Sequence, residues 1–321
     1  MNSKLIAGAA ILALHGAVLA GGEGWSSDYE ASKKLAAETK KDLLIDFTGS
    51  DWCGWCIKLN DEVFKHEPFK AGVKDSFVLV ELDYPNDKSK LSEATIKQNE
   101  ELGKKYSVQG YPTILLCDAE GKPYASTGYQ PGGPEKYVEH LNELRGAKTK
   151  RDEAFAAAAK AEGVEKAKAL VSALDSMGLD DTMVASFYGD IATQITAADP
   201  KDETGFAKKA AAKKRLADFE DKLQALGRKK DHDGALALVA EALKEGGFDK
   251  ETTEQMMLTR AVILMQQQKF DEALKAVDEA KAAHPDSQMG EQIDAFRAQI
   301  EARKAAAAGG TGEDAEEEEE E

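Results

Sequence analysis

Apolar positions follow two different rhythms along the chain. Between residues 42 and 129 they gather into short unbroken runs, Leu43-Leu44-Ile45, Phe77-Val78-Leu79-Val80 and Thr113-Ile114-Leu115-Leu116-Cys117, bounded by polar turn residues. Runs of this length, rich in β-branched residues, predict strands buried on both faces. The segments between them carry helical spacing. Residues 26–41 place Tyr29, Leu35 and Ala36 on one side, with Ser26 or Ser27 as the cap. Residues 53–74 predict a helix bent at Pro68, and residues 91–106 another. Asp118-Ala119-Glu120-Gly121-Lys122 supplies turn residues before a hairpin partner over 123–129, and Gly132-Gly133-Pro134 opens a helix to about residue 144. The order α-β-α-β-α-β-β-α predicts a mixed sheet between helices.

From residue 147 strand patterns stop, and Ala, Lys, Glu, Leu and Asp dominate. This predicts an all-helical region over 147–305. Residues 206–226 read as one long helix whose Lys208, Lys209, Lys213, Lys214 and Arg215 make a solvated basic face. Near the end, Ala261 and Leu264 are followed by Phe270, Ala273, Ala280 and Pro285. Small residues there let helices over 252–267 and 270–283 approach closely, and the proline stops the second. The spacing resembles one tetratricopeptide repeat, with fainter relatives at Ala235-Leu236-Ala237-Leu238-Val239 and Ala167-Lys168-Ala169-Leu170-Val171. An alanine-rich helical bundle is the plainer alternative.

Candidate chemistry concentrates in Asp51-Trp52-Cys53-Gly54-Trp55-Cys56, where a buried strand turns into a helix. A thiol at a helix N-terminus meets unpaired N–H groups and the positive end of the helix dipole, and both favour the reactive thiolate. A second cysteine three residues on lies one turn away, within reach of a mixed disulfide formed on the first. This is the layout of a dithiol–disulfide exchange centre. Half of a zinc site is the competing reading, but closure needs two further ligands, and Cys117 with His66 and His140 offers no spaced pair. Cys117, inside an apolar strand run, reads as a small buried hydrophobe. No metal or organic cofactor is required.

The ends add compartment and partners. Met1-Asn2-Ser3-Lys4, an apolar run to Ala20 and small residues at Val18-Leu19-Ala20 read as a signal peptide over 1–20, with an uncleaved anchor as the alternative. No later run is long enough to span a membrane, so the expectation is an exported protein, most simply in a bacterial periplasm. The formal net charge is −17, and residues 313–321 hold eight acidic side chains. The remainder is still acidic, which argues against nucleic-acid binding. Residues 306–321 are expected to be a disordered, solubilising acidic tail.

Asp46-Phe47, Trp52-Cys53-Gly54-Trp55-Cys56, Val108-Gln109-Gly110-Tyr111-Pro112-Thr113 and the hairpin ending at Gly128 together resemble the thioredoxin family, over about 24–146. The resemblance implies a thioredoxin-like α/β domain over 21–146, followed by the all-α repeat-like domain. It implies that Cys53 attacks and Cys56 resolves. It makes Pro112 the family's cis-proline facing the pair, with Tyr111 offering backbone groups to an extended substrate segment. Asp46 becomes the buried carboxylate that takes up or relays a proton, with a merely hydrogen-bonded strand-end aspartate as the alternative. Gly54 and Trp55 fall where the family exposes its dipeptide, so Trp55 is expected to touch substrate, while Trp52 packs partly against the domain. Three departures stand out. The loop Thr48-Gly49-Ser50-Asp51 is one residue longer than usual, residues 85–100 are longer, and the family's lysine on the neighbouring strand is replaced by an apolar residue, Leu79. Gly54-Trp55 in place of Gly-Pro frees an N–H near Cys53 and predicts a more oxidising disulfide than thioredoxin's.

The sequence therefore predicts an exported thiol–disulfide oxidoreductase that reduces or isomerises protein disulfides. Its partners would be disulfide-bearing or cysteine-containing proteins, an electron donor or acceptor protein, and a protein docked on the helical region. The rival is a non-catalytic scaffold that recruits partners through its helices.

Overall fold

The computed structural model describes residues 24–309. The expected signal peptide and the acidic run 313–321 lie outside those residues. The chain divides into two compact units, the first ending at Phe206 and the second beginning at Ala207.

The first unit is built on a five-stranded sheet of order β1-β3-β2-β4-β5, formed by β1 (Trp25–Ser26), β2 (Asp42–Thr48), β3 (Phe77–Asp83), β4 (Thr113–Cys117) and β5 (Pro123–Thr127). β1 and β2 flank β3 in parallel, whereas β4 is antiparallel to both β2 and β5. Every residue of β2 is buried, as its apolar run predicts for a central strand. Alternation along the strands makes two cores. Leu44, Leu79, Ile114 and Leu116 pack on one face with Leu59, Phe69 and Tyr137. Leu43, Ile45, Phe47, Val80 and Leu115 pack on the other with Tyr29, Leu102 and Tyr106. Each such large apolar side chain contributes about 1.5–3 kcal/mol by leaving water.

Two expected elements start elsewhere. Residues 25 and 26 pair with Leu79 and Val80 as a strand, and Trp25 is buried beside Phe64 and Phe69. Helix α1 (Tyr29–Thr39) therefore begins later, capped by Asp28, whose carboxylate accepts from the Ala31 N–H at 2.9 Å. Neither serine serves as the cap. The helix expected over 53–74 is broken rather than bent. It runs as α2 (Gly54–Leu59) into a π-helical turn (Asn60–Phe64), stops, and resumes as α3 (Glu67–Val73) with Pro68 in its first turn, where a missing N–H costs nothing. Helix α4 (Glu93–Lys105) is capped by Ser92.

The domain break expected between residues 146 and 147 falls inside a single helix, α5 (Gly133–Ala158). Its first half lays Tyr137 and Leu141 on the sheet. Its second half carries Arg151, whose guanidinium donates to Asp118 Oδ2 at 3.0 Å and to the Tyr188 hydroxyl at 3.0 Å, while Tyr188 donates to the Pro123 carbonyl. Helices α6 (Gly163–Met177) and α7 (Asp181–Ala198) place Ala167, Leu170, Met177, Tyr188 and Ile195 in the same core as the sheet. The change in composition at 147 thus marks where the helical layer becomes alanine-rich. The compact unit itself runs on to Phe206.

The second unit holds α8 (Phe206–Arg228) from Ala207 onward, with α9 (His232–Glu245), α10 (Lys250–Gln266), α11 (Phe270–Ala283) and α12 (Gly290–Gly309). Helices α10 and α11 coincide closely with the expected pair; Ala261, Leu264 and Ala273 are buried together with Ala276 and Val277, and Ala280 is buried as well. Glu254, buried on α10, accepts from Ser287 Oγ at 2.7 Å and lies 3.5 Å from His284 Nδ1, which ties α10 to the segment after α11. α12 continues four residues into the expected tail. Among the described residues no helix is long and apolar enough to cross a membrane.

Candidate active site

The site forms where β2 and β4 meet the start of α2. Thr113 lies opposite Phe47, so the segment before β4 emerges at the same end of the sheet as the loop leaving β2. In that loop Cys53 N–H donates to the Gly49 carbonyl at 2.9 Å, which sets Cys53 as the N-cap of α2 in an extended conformation. Cys53 and Cys56 form a disulfide, and Cys53 Sγ accepts from the Cys56 N–H at 3.2 Å. After reduction the same amide and the open first turn of the helix face the Cys53 sulfur. Both stabilise negative charge there. Cys117, by contrast, is wholly buried, and burial pushes its thiol well above the usual range.

Aromatic rings cluster on the turn that carries the pair. The Tyr111–Pro112 peptide bond is cis. Tyr111 meets Trp52 edge-on at 5.5 Å and Tyr84 at 5.3 Å, and Tyr84 stacks on Phe47. Trp52 donates its Nε1–H to the Tyr84 carbonyl at 2.8 Å, yet 46% of it stays exposed. Its ring lies against Gly49, where a Cβ would stand 2.5 Å from Cε2, so the bend needs glycine. Trp55 is 57% exposed and leans on Tyr129 at 5.2 Å, with the Lys58 ammonium over both rings. Tyr129 in turn donates to Glu62. Trp52, Gly54 and Trp55 adjoin the cysteines along the chain, Tyr111 meets Trp52, and Ile57 adds a further exposed apolar side chain.

The longer loop is tied down. Ser50 donates its N–H and Oγ–H to Asp83 at 2.8 and 2.6 Å. Asp51 accepts from the Asn86 and Asp87 N–H groups and from Lys90, and these bonds hold its carboxyl below the usual range. Residues 83–90 therefore act as an anchor for the turn that presents Cys53.

Asp46 stands on the face of the sheet that α2 covers through Leu59. Its carboxyl is buried, and Oδ1 has no hydrogen-bond partner. Burial, then the charges of Glu81 and Asp83, push it well above the carboxylate range. The register of β3 places an acid next to Asp46. Leu79 pairs with Leu44, and the residue beside Asp46 is Glu81. Glu81 is pushed up to about 7, by burial first and Asp83 second. Sequence reasoning passed over Glu81, Tyr84 and Tyr129. The sequence shows Glu81 ending the apolar run Phe77-Val78-Leu79-Val80 on the same parity as Asp83, but only the register of β2 and β3 sets it beside Asp46.

Comparison with known proteins agrees with this site. The family model for the thioredoxin-like domain matches residues 29–145. The disulfide bond reductase DsbH of Chlamydia pneumoniae is 38% identical over 114 residues, which cover 36% of this chain and 68% of that protein. The thioredoxin-related protein DsbJ of the same organism is 32% identical over 96 residues, 30% of this chain and 27% of its own length. A solved structure of a DsbH oxidoreductase is 34% identical and covers 36% of this chain and 80% of its own, with a TM-score of 0.35. The segment that the family model matches lies in the first unit and contains the disulfide, the cis-proline turn and the buried Asp46. On that sequence identity and coverage the chain belongs to the thioredoxin-like family, and its Cys53–Cys56 pair makes it a thiol–disulfide oxidoreductase.

Proposed function

We propose that this chain reduces disulfides in exported proteins, with Cys53 as nucleophile and Cys56 as resolving thiol. The observation that carries the reading is the Cys56 N–H donating to Cys53 Sγ at the first turn of α2, an arrangement that favours the thiolate. The Cys53 thiolate attacks a substrate disulfide, an S–S bond forms between Cys53 and substrate, and the substrate's other sulfur leaves with the electron pair. Cys56 then gives its proton to Asp46 and attacks Cys53 Sγ. The second substrate sulfur leaves as thiolate and takes a proton from water, and Cys53–Cys56 ends oxidised. An electron-donor protein must reduce it again. The reductase name of the relative that shares 38% identity supports this direction over isomerisation.

The exposed faces of Trp52 and Trp55, with Gly54 and the Tyr111–Pro112 turn whose tyrosine meets Trp52, would form the surface on which an extended substrate segment lies. The same reading includes a cleaved leader over 1–20, a periplasmic location, and a tetratricopeptide-like partner site on the second unit. Two experiments test it. Dithiothreitol-driven reduction of a protein disulfide should be lost in Cys53→Ser, and equal rates in wild type and variant would end the enzymatic reading. Cys56→Ser should trap substrates as mixed disulfides, which identifies them and fixes the direction.

A further inference from the structure

Three acids follow one another along the face of the sheet beneath α2. Asp46 on β2 is buried with an orphaned oxygen, Glu81 is its register partner on β3 and partly buried, and Asp83 comes next on the same face. Asp83 reaches the turn before Cys53 through its two bonds from Ser50. Registered residues on neighbouring strands point to the same side, so Asp46 and Glu81 stand side by side. The charged groups acting on Asp46 are Glu81 and Asp83, both acidic, and the Tyr137 hydroxyl from α5 feels Asp46 in turn. From α2, Leu59 packs on the same face of the sheet. Adjacent carboxyls in such a place disfavour each other's ionisation.

We propose that Glu81 is a positioning residue that serves as the proton outlet of Asp46, passing to solvent the proton that Asp46 takes from Cys56. This rests on the reading of Asp46 as the acceptor for Cys56. When Cys56 attacks the mixed disulfide, its proton moves to the Asp46 carboxylate, the Cys53–substrate bond breaks and the Cys53–Cys56 bond forms. Asp46 then returns to its charged state by handing the proton to ionised Glu81, which releases it to water. No external oxidant or reductant enters. A buried carboxyl with no such neighbour would have to exchange its proton directly through the packed face.

The test uses the full reduced chain and 5,5′-dithiobis(2-nitrobenzoate) in stopped flow. Cys53 attack releases a first coloured thiolate, and Cys56 resolution releases a second; Cys117 is buried and silent. In wild type the second phase should show two ionisations between about pH 5 and 9. In Glu81→Gln it should show one and run about tenfold slower near neutrality, with the first phase within about twofold. Glu81→Asp should restore the two-step profile, which a purely structural role would not require. A Glu81→Gln second phase that overlays wild type overturns the proposal. Absence of any first phase in wild type would instead overturn the nucleophile reading. Should Glu81→Gln not fold, carboxyl-carbon NMR of wild type decides. Biphasic, mutually dependent titration of Asp46 and Glu81 supports the outlet, and two independent single curves refute it.

Discussion

Strand β2 carries an aspartate near each end of one face, and the two have opposite surroundings. Asp42 is 4% exposed and Asp46 is 5% exposed, so burial does not distinguish them. Asp42 accepts from the Tyr124 hydroxyl at 2.7 Å and from the Lys148 ammonium, with the Arg145 guanidinium 3.9 Å away. Asp46 has an unpaired oxygen and two acids for neighbours. One carboxylate ties α5 to the base of the sheet. The other has no such partners, on the face of the sheet that Leu59 of α2 covers. A buried charge with cationic and hydroxyl partners is architecture, whereas the same group without them is a reservoir of chemistry.

Kinetics should separate the two most sharply. Asp46→Asn is expected to slow the second thiolate release by about a hundredfold near neutrality, and Asp42→Asn by less than about twofold, measured by the same stopped-flow assay. Stability should separate them with opposite sign. Asp42→Ala leaves the buried Tyr124 hydroxyl unpaired and should cost about 1–3 kcal/mol in urea unfolding of the oxidised chain. Asp46→Asn removes an unpaired buried charge and should be neutral or stabilising at pH 8 by about 1–2 kcal/mol.

The pH dependence sharpens the comparison further. Glu81 is raised to about 7 in the folded chain, from an ordinary 4.5, and Asp46 is raised as well. Between the ordinary carboxylate range and the raised values the folded state holds protons that the unfolded state has released. Stability should therefore be greatest in mild acid and fall as pH climbs through about 7. Glu81→Gln should flatten that slope and gain about 1–3 kcal/mol at pH 8, with no gain below pH 4.5. Denaturant midpoints across this range provide the check. The smallest effect is expected outside the acid pair. Trp55→Ala removes exposed apolar surface beside Cys53, and should raise KM for a protein disulfide about threefold while leaving the small-reagent first phase unchanged.

The contrast between Asp42 and Asp46 also marks how far the sequence could be read. The motif at Cys53–Cys56, the Tyr111–Pro112 turn and the strands behind them were legible because each depends on local spacing. Glu81 was not assigned because its meaning depends on register between β2 and β3, and a shift of two residues substitutes Leu79 for it. Strand β1 was missed for a similar reason: a two-residue strand has no periodicity to detect, and only pairing with Leu79 and Val80 defines it. The end of the first unit was hidden by composition. Nothing in the alanine-rich stretch after Gly146 announces that Arg151 reaches back to Asp118 and Tyr188.

The most direct test of the account is the rate of iodoacetamide alkylation of Cys53 in the reduced full chain as a function of pH. A thiol held at the first turn of α2 by the Cys56 N–H should react with a midpoint well below the ordinary cysteine value of about 8.5, while Cys117 stays unmodified. A midpoint at or above that value, with Cys53 no more reactive than Cys117, would contradict it.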